Sequence, residues 1–448
     1  MSQPNSPSLL ARALKSLAGV EPHELSAVVL SMLYFFFLFG SYSVIKPVRD
    51  AMGTVYGIKH LNELFLGTFI GTLVLAPLYA GMASRVKLSN FLPWVYGFIA
   101  LTIVGFYLLF SGGKVSDRGV AAGFYIWVSV FNMLIISVFW SFMADIFSRT
   151  QAKRLFGFIA AGGTVGGIAG PAIATFLATR VGNNGLMLIS AAGFVVTALL
   201  VKSLARARDT LVATSGSEAQ RTDINHRLGG GNPLDGFILL AKSPYLLLIA
   251  GFLFLMTSIS TIVYTQLGDL ITKAFTDHNA RTQAYATIEL VVNSLAVVIQ
   301  LLGTGRIIQR FGVRFGLLLN PIIMVFAFLA IAFSPVLMIL GSLQILRRVA
   351  EYAVAKPTRE MLFTVVDQES KYKAKNVIDT VVYRGGDLVA SFASVSVLKG
   401  FGDIGLAVLG VAVSLVWFPI AWILAKRYES ARSAEGAGIA PVLVTVGH

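Results

Sequence analysis

Eight stretches of 21 to 26 residues contain no Asp, Glu, Lys or Arg: Leu25 to Ile45, Leu64 to Ser84, Leu88 to Gly113, Gly119 to Ala144, Leu155 to Thr179, Val181 to Val201, Ser243 to Gly268 and Ile404 to Ala425. Crossing a bilayer takes about 20 predominantly apolar residues in a helix, so each stretch suffices for one crossing. Further spans follow from weaker runs. Phe315 to Leu346 is broken at Ser334-Pro335 and supplies one full span and the start of another that continues through charged residues. Leu290 to Gly305, beside Glu289, and Val377 to Leu398, which carries Asp379, Arg384 and Asp387, bring the expected number to twelve.

Composition agrees. Of 448 residues, 56% are hydrophobic and 13% charged, against about 25% charged in a soluble domain, and mean hydropathy is +0.76. With no cysteine, disulfides, thiolate nucleophiles and Cys-based metal sites are excluded. His23, His60, His226, His278 and His448 all fall outside the apolar runs, so none is set for buried proton transfer or metal ligation. No phosphate-cradling Gly-x-x-x-x-Gly-Lys-Ser/Thr loop is present. Any transport is therefore secondary, and no metal or cofactor is expected.

Placing both termini in the cytoplasm puts 22 Lys and Arg residues in cytoplasmic segments and 9 in the opposite loops, the asymmetry that fixes membrane orientation. It absorbs most of the net charge of +14, which leaves nucleic acid out of the account. Residues 1 to 24 show no signal-peptide cleavage pattern, so the first run is expected to stay as span 1. The expected setting is a bacterial inner membrane, with the bilayer as surroundings and the chain working as a monomer.

Between Lys202 and Lys242 the sequence turns polar and includes Gly229-Gly230-Gly231-Asn232-Pro233, a flexible linker by composition. It divides the spans six and six. Asp145, Ser148, Ala152 and Lys153 recur as Asp367, Ser370, Ala374 and Lys375, each 222 residues later, which points to duplication. The expected fold class is an all-α membrane protein with twelve transmembrane helices as two six-helix pseudo-repeats. Residues 1–201 form the N-terminal bundle, 202–242 the cytoplasmic linker and 243–448 the C-terminal bundle. That is the major facilitator arrangement, which holds its substrate near the bilayer midplane. The turn Gly305 to Gly312 resembles that superfamily's loop motif without its usual Asp. The recurring Asp145, Lys153, Asp367 and Lys375 are expected to form a cytoplasmic gate.

Glycines 162, 163, 166, 167 and 170 of span 5, followed by Pro171, strip one helix face, which favours close approach of a neighbouring backbone. Charges inside the spans are more informative, because each costs roughly 2.5 to 3.5 kcal/mol at a helix centre and is normally paired or functional. Lys46-Pro47-Val48-Arg49-Asp50 closes span 1, with Lys46 and Asp50 four residues apart; it reads either as an interfacial cluster or as a cationic lip for an anion. Span 10 carries a stripe of Arg347, Arg348, Glu351, Lys356, Arg359 and Glu360, in which Glu351 is spaced to neutralise Arg347. Span 11 carries Asp379, Tyr383 and Asp387 at every fourth residue, with Arg384 beside them. Its acids are spaced to latch onto span 10 or to meet substrate, and Arg384 offers a fork for phosphate or carboxylate. Glu289 has no obvious partner in sequence and reads as an end-of-helix carboxylate or a proton-coupling group.

The segment Pro357 to Met361, with Asp367, Lys371, Lys373, Lys375 and Ile378-Asp379, resembles the span 10/11 signature of the nucleotide transporter (ATP:ADP antiporter) family. Phe139-Trp140-Ser141-Phe142 with Ala152 to Phe156 is similar to that family's span 4/5 segment, and Ile45 to Asp50 to its span 1 end. The resemblance implies the major facilitator fold and counter-exchange of nucleotides, classically ATP for ADP. Members that exchange ATP for ADP usually carry a Lys early in span 2 and a Glu in each of spans 4 and 7. Here those windows read Leu61-Asn62-Glu63, Trp127 to Asn132 and Ile262 to Gln266, and none has the expected charge; the nucleotide pair therefore does not follow from the resemblance. The function expected is a secondary transporter of an anionic solute, in the resemblance a nucleotide. Lys46, Arg49, Arg348 and Arg384 bind the anion, and Tyr264, Tyr383 and Trp140 stack on a base. Asp50, Glu289, Glu351, Asp379 and Asp387 pair or couple. The rivals are a proton-coupled carrier of another metabolite, titrating Glu289 or Asp387, and a membrane scaffold that moves nothing.

Overall fold

The computed structural model describes residues 20–83, 88–215, 235–366, 374–375 and 377–436, and among them the regular structure is helical throughout. The helices are α1 (Leu25–Tyr56), α2 (Leu61–Ala83), α3 (Leu88–Ser111), α4 (Arg118–Ile146), α5 (Arg149–Ser215), α6 (Asp235–Lys242), α7 (Pro244–Ala274), α8 (His278–Leu302), α9 (Thr304–Phe333), α10 (Leu337–Ala350), α11 (Lys356–Met361) and α12 (Tyr383–Gly436). Eight helical stretches are long and apolar enough to cross a bilayer. Two of them, Thr150–Arg208 and Ile378–Ser433, have 59 and 56 residues, enough for two crossings each at about 20 residues per crossing. Both contain a glycine outside helical geometry: Gly182 (φ 68°, ψ 177°) in α5 and Gly402 (φ 64°, ψ −157°) in α12. Only glycine adopts that region without strain. The break at Gly182 falls beside Arg180, where the charge-free runs predict a turn.

Helix ends are written in the sequence. Asp117 caps α4 by accepting from the Val120 N–H at 3.1 Å, and Ser243, with Pro244 at the first turn, caps α7 through the Leu246 N–H. Ser148 and Gln151 form a reciprocal box at the start of α5: the Ser148 N–H donates to Gln151 Oε1 at 3.0 Å and the Gln151 N–H donates to Ser148 Oγ. The expected linker is shorter than its polar composition suggests, because α5 continues to Ser215 and α6 begins at Asp235; its glycine run lies outside the described residues.

The chain forms two compact units. One comprises Met1–Met52, Ile70–Gly230 and His278–Thr287; the other comprises Gly53–Phe69, Gly231–Asp277 and Ile288–His448. Neither follows the linker strictly, since α1 and α8 each contribute to both. In the first unit the glycine face of α5 lies on α1. A Cβ at Gly166 would stand 2.5 Å from Phe36 O and 3.0 Å from Gly40 N, and one at Gly170 2.6 Å from Gly40 O. These glycines serve packing, as their spacing predicts. Gly166→Val is expected to lower stability by about 1–3 kcal/mol through overpacking, read as a fall in melting temperature, whereas Gly157→Ala, with no atom within 4 Å, leaves it unchanged.

Candidate functional site: paired charges inside the spans

In the first unit the charged residues gather at the end of α1. Arg49 donates from Nε and Nη2 to Asp50 Oδ1 at 3.0 and 2.6 Å and from Nη1 to Ser129 Oγ of α4 at 3.4 Å, and its guanidinium lies 5.3 Å from the Tyr125 ring centre. Asp50 is buried. The i, i+4 spacing puts the partly buried Lys46 one turn before Asp50 on α1, and the neighbouring Arg49 pairs with Asp50 as well. Two residues not singled out from sequence complete the cluster. Buried Arg281 and Tyr285 lie near the start of α8, and Tyr285 interacts electrostatically with Asp50, Tyr125, Arg281 and Arg49. Starting span 8 at Leu290 placed Arg281 in a loop; α8 in fact begins at His278, so Arg281 sits in its first turn. Side chains tie this end of α8 to α5: Asn279 Oδ1 accepts from the Asn183 N–H at 2.9 Å, and Gln283 Nε2 donates to Thr175 O at 3.0 Å.

In the second unit Arg347, Arg348, Arg359 and Arg384 each lie near an acid. Arg348 grips Glu289 with both terminal nitrogens, Nη2 to Oε2 at 3.0 Å, and Nη2 also donates to the Tyr352 hydroxyl at 2.9 Å. Glu289 is thus one half of a buried bidentate pair, and Arg348 is not the surplus cation that the span 10 stripe suggests. The charge-free run Leu290 to Gly305 conceals this because the partner lies 59 residues away. Arg347 follows expectation: it meets Glu351 at 2.7 Å, with Gln344 and Ser260 as further partners. Arg384 lies 3.6 Å from Asp387 one turn on, beyond hydrogen-bond length, and 5.9 Å from the Tyr383 ring centre. Asp387 accepts from the Thr261 hydroxyl of α7 at 3.0 Å, so it joins α7 rather than span 10. Asp379 does latch onto span 10, 3.7 Å from Arg359, which also pairs with Glu360. Tyr264 packs edge-on against Phe65, ring centres 6.1 Å apart.

Both charged stripes include a π-helical turn, Glu351–Ala355 between α10 and α11 and Ile378–Val382 before α12. Proline explains the first. Pro357 has no N–H for the Ala353 carbonyl one turn back, and the Thr304 hydroxyl donates to that carbonyl at 2.6 Å, while Gln300 Nε2 donates to Tyr352 O at 2.9 Å. Wide turns of this kind recur at functional sites.

Of the expected gate residues, Asp145 interacts electrostatically with Arg208 and Lys153 is exposed. Lys375 pairs with Glu360 and lies 5.3 Å from the Phe363 ring centre; Asp367, Lys371 and Lys373 lie outside the described residues. Trp140 packs against Phe35, Phe139 and Phe156 within its unit. Just before α1, Glu24 is buried. Burial raises its carboxyl pKa, but hydrogen bonds from the Glu21 N–H, Gln151 and Arg154 outweigh that and hold it below the ordinary carboxylate range. A carboxyl depressed in the folded state stabilises it above the unfolded pKa and loses that effect as pH falls through the folded one. Wild-type melting temperature is therefore expected to fall more steeply between about pH 5 and 3 than that of Glu24→Gln.

An all-helical chain with many apolar spans, and arginines set against acids inside them, is a multi-pass membrane protein. Solved structures share its fold. A bacterial homologue of the iron transporter ferroportin in an inward-facing state superposes with TM-score 0.62 at 13% identity, covering 91% of this chain and 100% of that one. The nucleoside transporter NupG gives 0.56 at 15% identity, covering 92% and 99%. The chain belongs to the TLC ATP/ADP transporter family, whose model matches residues 122–430. It is 26% identical over 353 residues to ADP,ATP carrier protein 1 of Chlamydia trachomatis, covering 70% of this chain and 66% of the relative, and 25% identical to the Chlamydia muridarum protein with the same coverage. The Chlamydia pneumoniae protein of that name is 23% identical over 469 residues, covering 90% and 91%.

Proposed function

We propose that this chain exchanges anionic nucleotides, in the manner of ATP for ADP, across a bacterial inner membrane by alternating access. In this reading it works as a monomer with twelve spans and both termini in the cytoplasm. The count is supported by the glycine breaks in α5 and α12, which cut each long stretch into two lengths sufficient to cross. Duplication into six-span halves, residues 1–201 and 243–448 about a cytoplasmic linker, is supported by the motif repeated at 222 residues and by the spacing of the breaks at Gly182 and Gly402.

The observation that carries the cargo is the α1 cluster. Arg49 meets the Asp50 carboxylate and lies over the Tyr125 ring, and buried Arg281 and Tyr285 stand near the start of α8. Buried guanidiniums suit an anion with several oxygens, which they can meet by charge-assisted, bidentate hydrogen bonds. Lys46 and Arg49 bind phosphate, and Arg281 joins them. In the second unit Arg384, whose guanidinium offers a fork for phosphate, takes the same role, with Tyr383 and Tyr264 offering ring faces to the base. The bidentate Arg348–Glu289 pair holds the helices in place, as does Arg347–Glu351. Asp145, Lys153, Asp367 and Lys375 form the cytoplasmic gate.

Proteoliposomes loaded with ADP are expected to take up labelled ATP at least tenfold faster than empty ones. Equal uptake into empty vesicles, or uptake that follows an imposed pH gradient and ignores internal nucleotide, would instead select a proton-coupled carrier.

A further inference from the structure

Between α8 and the membrane-crossing part of α9 the chain makes a short amphipathic arm. Thr304 to Phe311 is helical, ends at Gly312 (φ 77°, ψ 175°), and the helix resumes at buried Val313 as the membrane-crossing part. Thr304 pins the arm through its bond to Ala353 O, and Ile307 and Ile308 are half-buried, whereas Arg306, Gln309 and Arg310 are exposed. At 100° per residue these three share one face. Exposed apolar side chains flank them: Leu301 is 80% exposed, Leu302 68% and Phe311 54%.

The charge on this arm is one-sided. No Asp or Glu occurs between Glu289 and Glu351. Arg314, just past the break, pairs with Glu429 and lies 4.8 Å from the Trp422 ring centre. Among the described residues neither Arg306 nor Arg310 has a carboxylate partner; Arg306 Nη1 reaches Leu302 O at 3.5 Å, and the Arg310 guanidinium lies 5.6 Å from the Phe311 ring centre. The arm joins two spans on the side that the distribution of Lys and Arg assigns to the cytoplasm, so Leu301, Leu302 and Phe311 stand at the level of the acyl chains and the guanidiniums at the level of the headgroups. Guanidiniums there take phosphate while neighbouring apolar side chains enter the acyl layer.

We propose that Arg306 and Arg310 form a binding site for an anionic phospholipid headgroup of the cytoplasmic leaflet, with the lipid's acyl chains lying against Leu301, Leu302 and Phe311. The charge complementarity is direct: two cations one turn apart, with no carboxylate partner among the described residues, suit a phosphodiester that, unlike phosphatidylcholine, carries no compensating ammonium group. The site is independent of what the protein carries.

Full-length protein, delipidated in detergent and titrated with phosphatidylglycerol or phosphatidylcholine under native mass spectrometry, tests it. Wild type is expected to prefer phosphatidylglycerol, and Arg306→Gln/Arg310→Gln to lose that preference on the order of thirty-fold, as two basic side chains at an anionic leaflet predict. Arg306→Lys/Arg310→Lys, which keeps the charge, is expected to retain most of it. Lys114→Gln/Arg118→Gln, which removes the same charge from exposed residues of the opposite loop, is expected to leave it intact. Retention by the glutamine variant at the wild-type level would overturn the site, and so would an equal loss in the Lys114/Arg118 control.

Discussion

Arg348→Ala is expected to cost about 3–5 kcal/mol of stability, because it leaves the buried Glu289 carboxylate without the cation that compensates its burial. Glu289→Ala is expected to cost about as much, since it strands the guanidinium in the same way. The informative variant removes both. Replacing a buried ion pair by apolar groups of similar volume is often neutral or stabilising, so Glu289→Leu/Arg348→Met should recover most of the melting temperature lost by either single variant. What remains of the loss is assigned to the Tyr352 hydroxyl, which gives up its bond to Arg348. Thermal unfolding in detergent reads all three. A double variant as unstable as the singles would mean that the pair does more than neutralise itself, and would return Arg348 to the substrate-binding set.

The second large effect concerns Arg49. A hydrogen bond to a charged partner is worth about 1.5–3 kcal/mol, and each 1.4 kcal/mol is about tenfold. Arg49→Gln is therefore expected to lower exchange at limiting nucleotide by about ten- to a hundredfold, read on protein that is first shown to be folded. In the structure Arg49 donates to Asp50 Oδ1 and Ser129 Oγ. Arg49→Lys keeps the charge and loses the planar fork, so it is expected to fall between glutamine and wild type. A lysine variant as impaired as the glutamine one would show that geometry rather than charge sets the binding. Activity of Arg49→Gln equal to wild type would move the cargo away from this cluster.

The all-helical, multi-span character of the chain was legible because hydrocarbon imposes a strong filter on sequence. Charge-free length alone predicts helices where α1, α3, α4 and α7 lie, and the glycine spacing of α5 predicts its close packing on α1. Local pairs were legible too, since Arg347 and Glu351 are four residues apart. Residues joined only by the fold were not. Nothing in the neighbourhood of Glu289 announces Arg348, and nothing near Asp387 announces Thr261 of α7. Arg281 was missed for a different reason: a helix start read from hydropathy comes late when its first turns are polar, and α8 opens with His278, Asn279, Arg281, Thr282 and Gln283. The π turns carry a trace in Pro357, but its consequence for the Ala353 carbonyl appears only with Thr304 in place.

At the centre of this account is an anion held by arginine. A ligand present at one hundred times its dissociation constant stabilises the folded state by about 2.7 kcal/mol, so thermal unfolding with and without nucleotide measures that contact without requiring transport. ADP is expected to raise the melting temperature of wild type, to have little effect on Arg49→Gln, and to exceed adenosine, which lacks the phosphates, by a wide margin. Equal stabilisation of wild type and Arg49→Gln by ADP, or stabilisation by adenosine as large as by ADP, would contradict it.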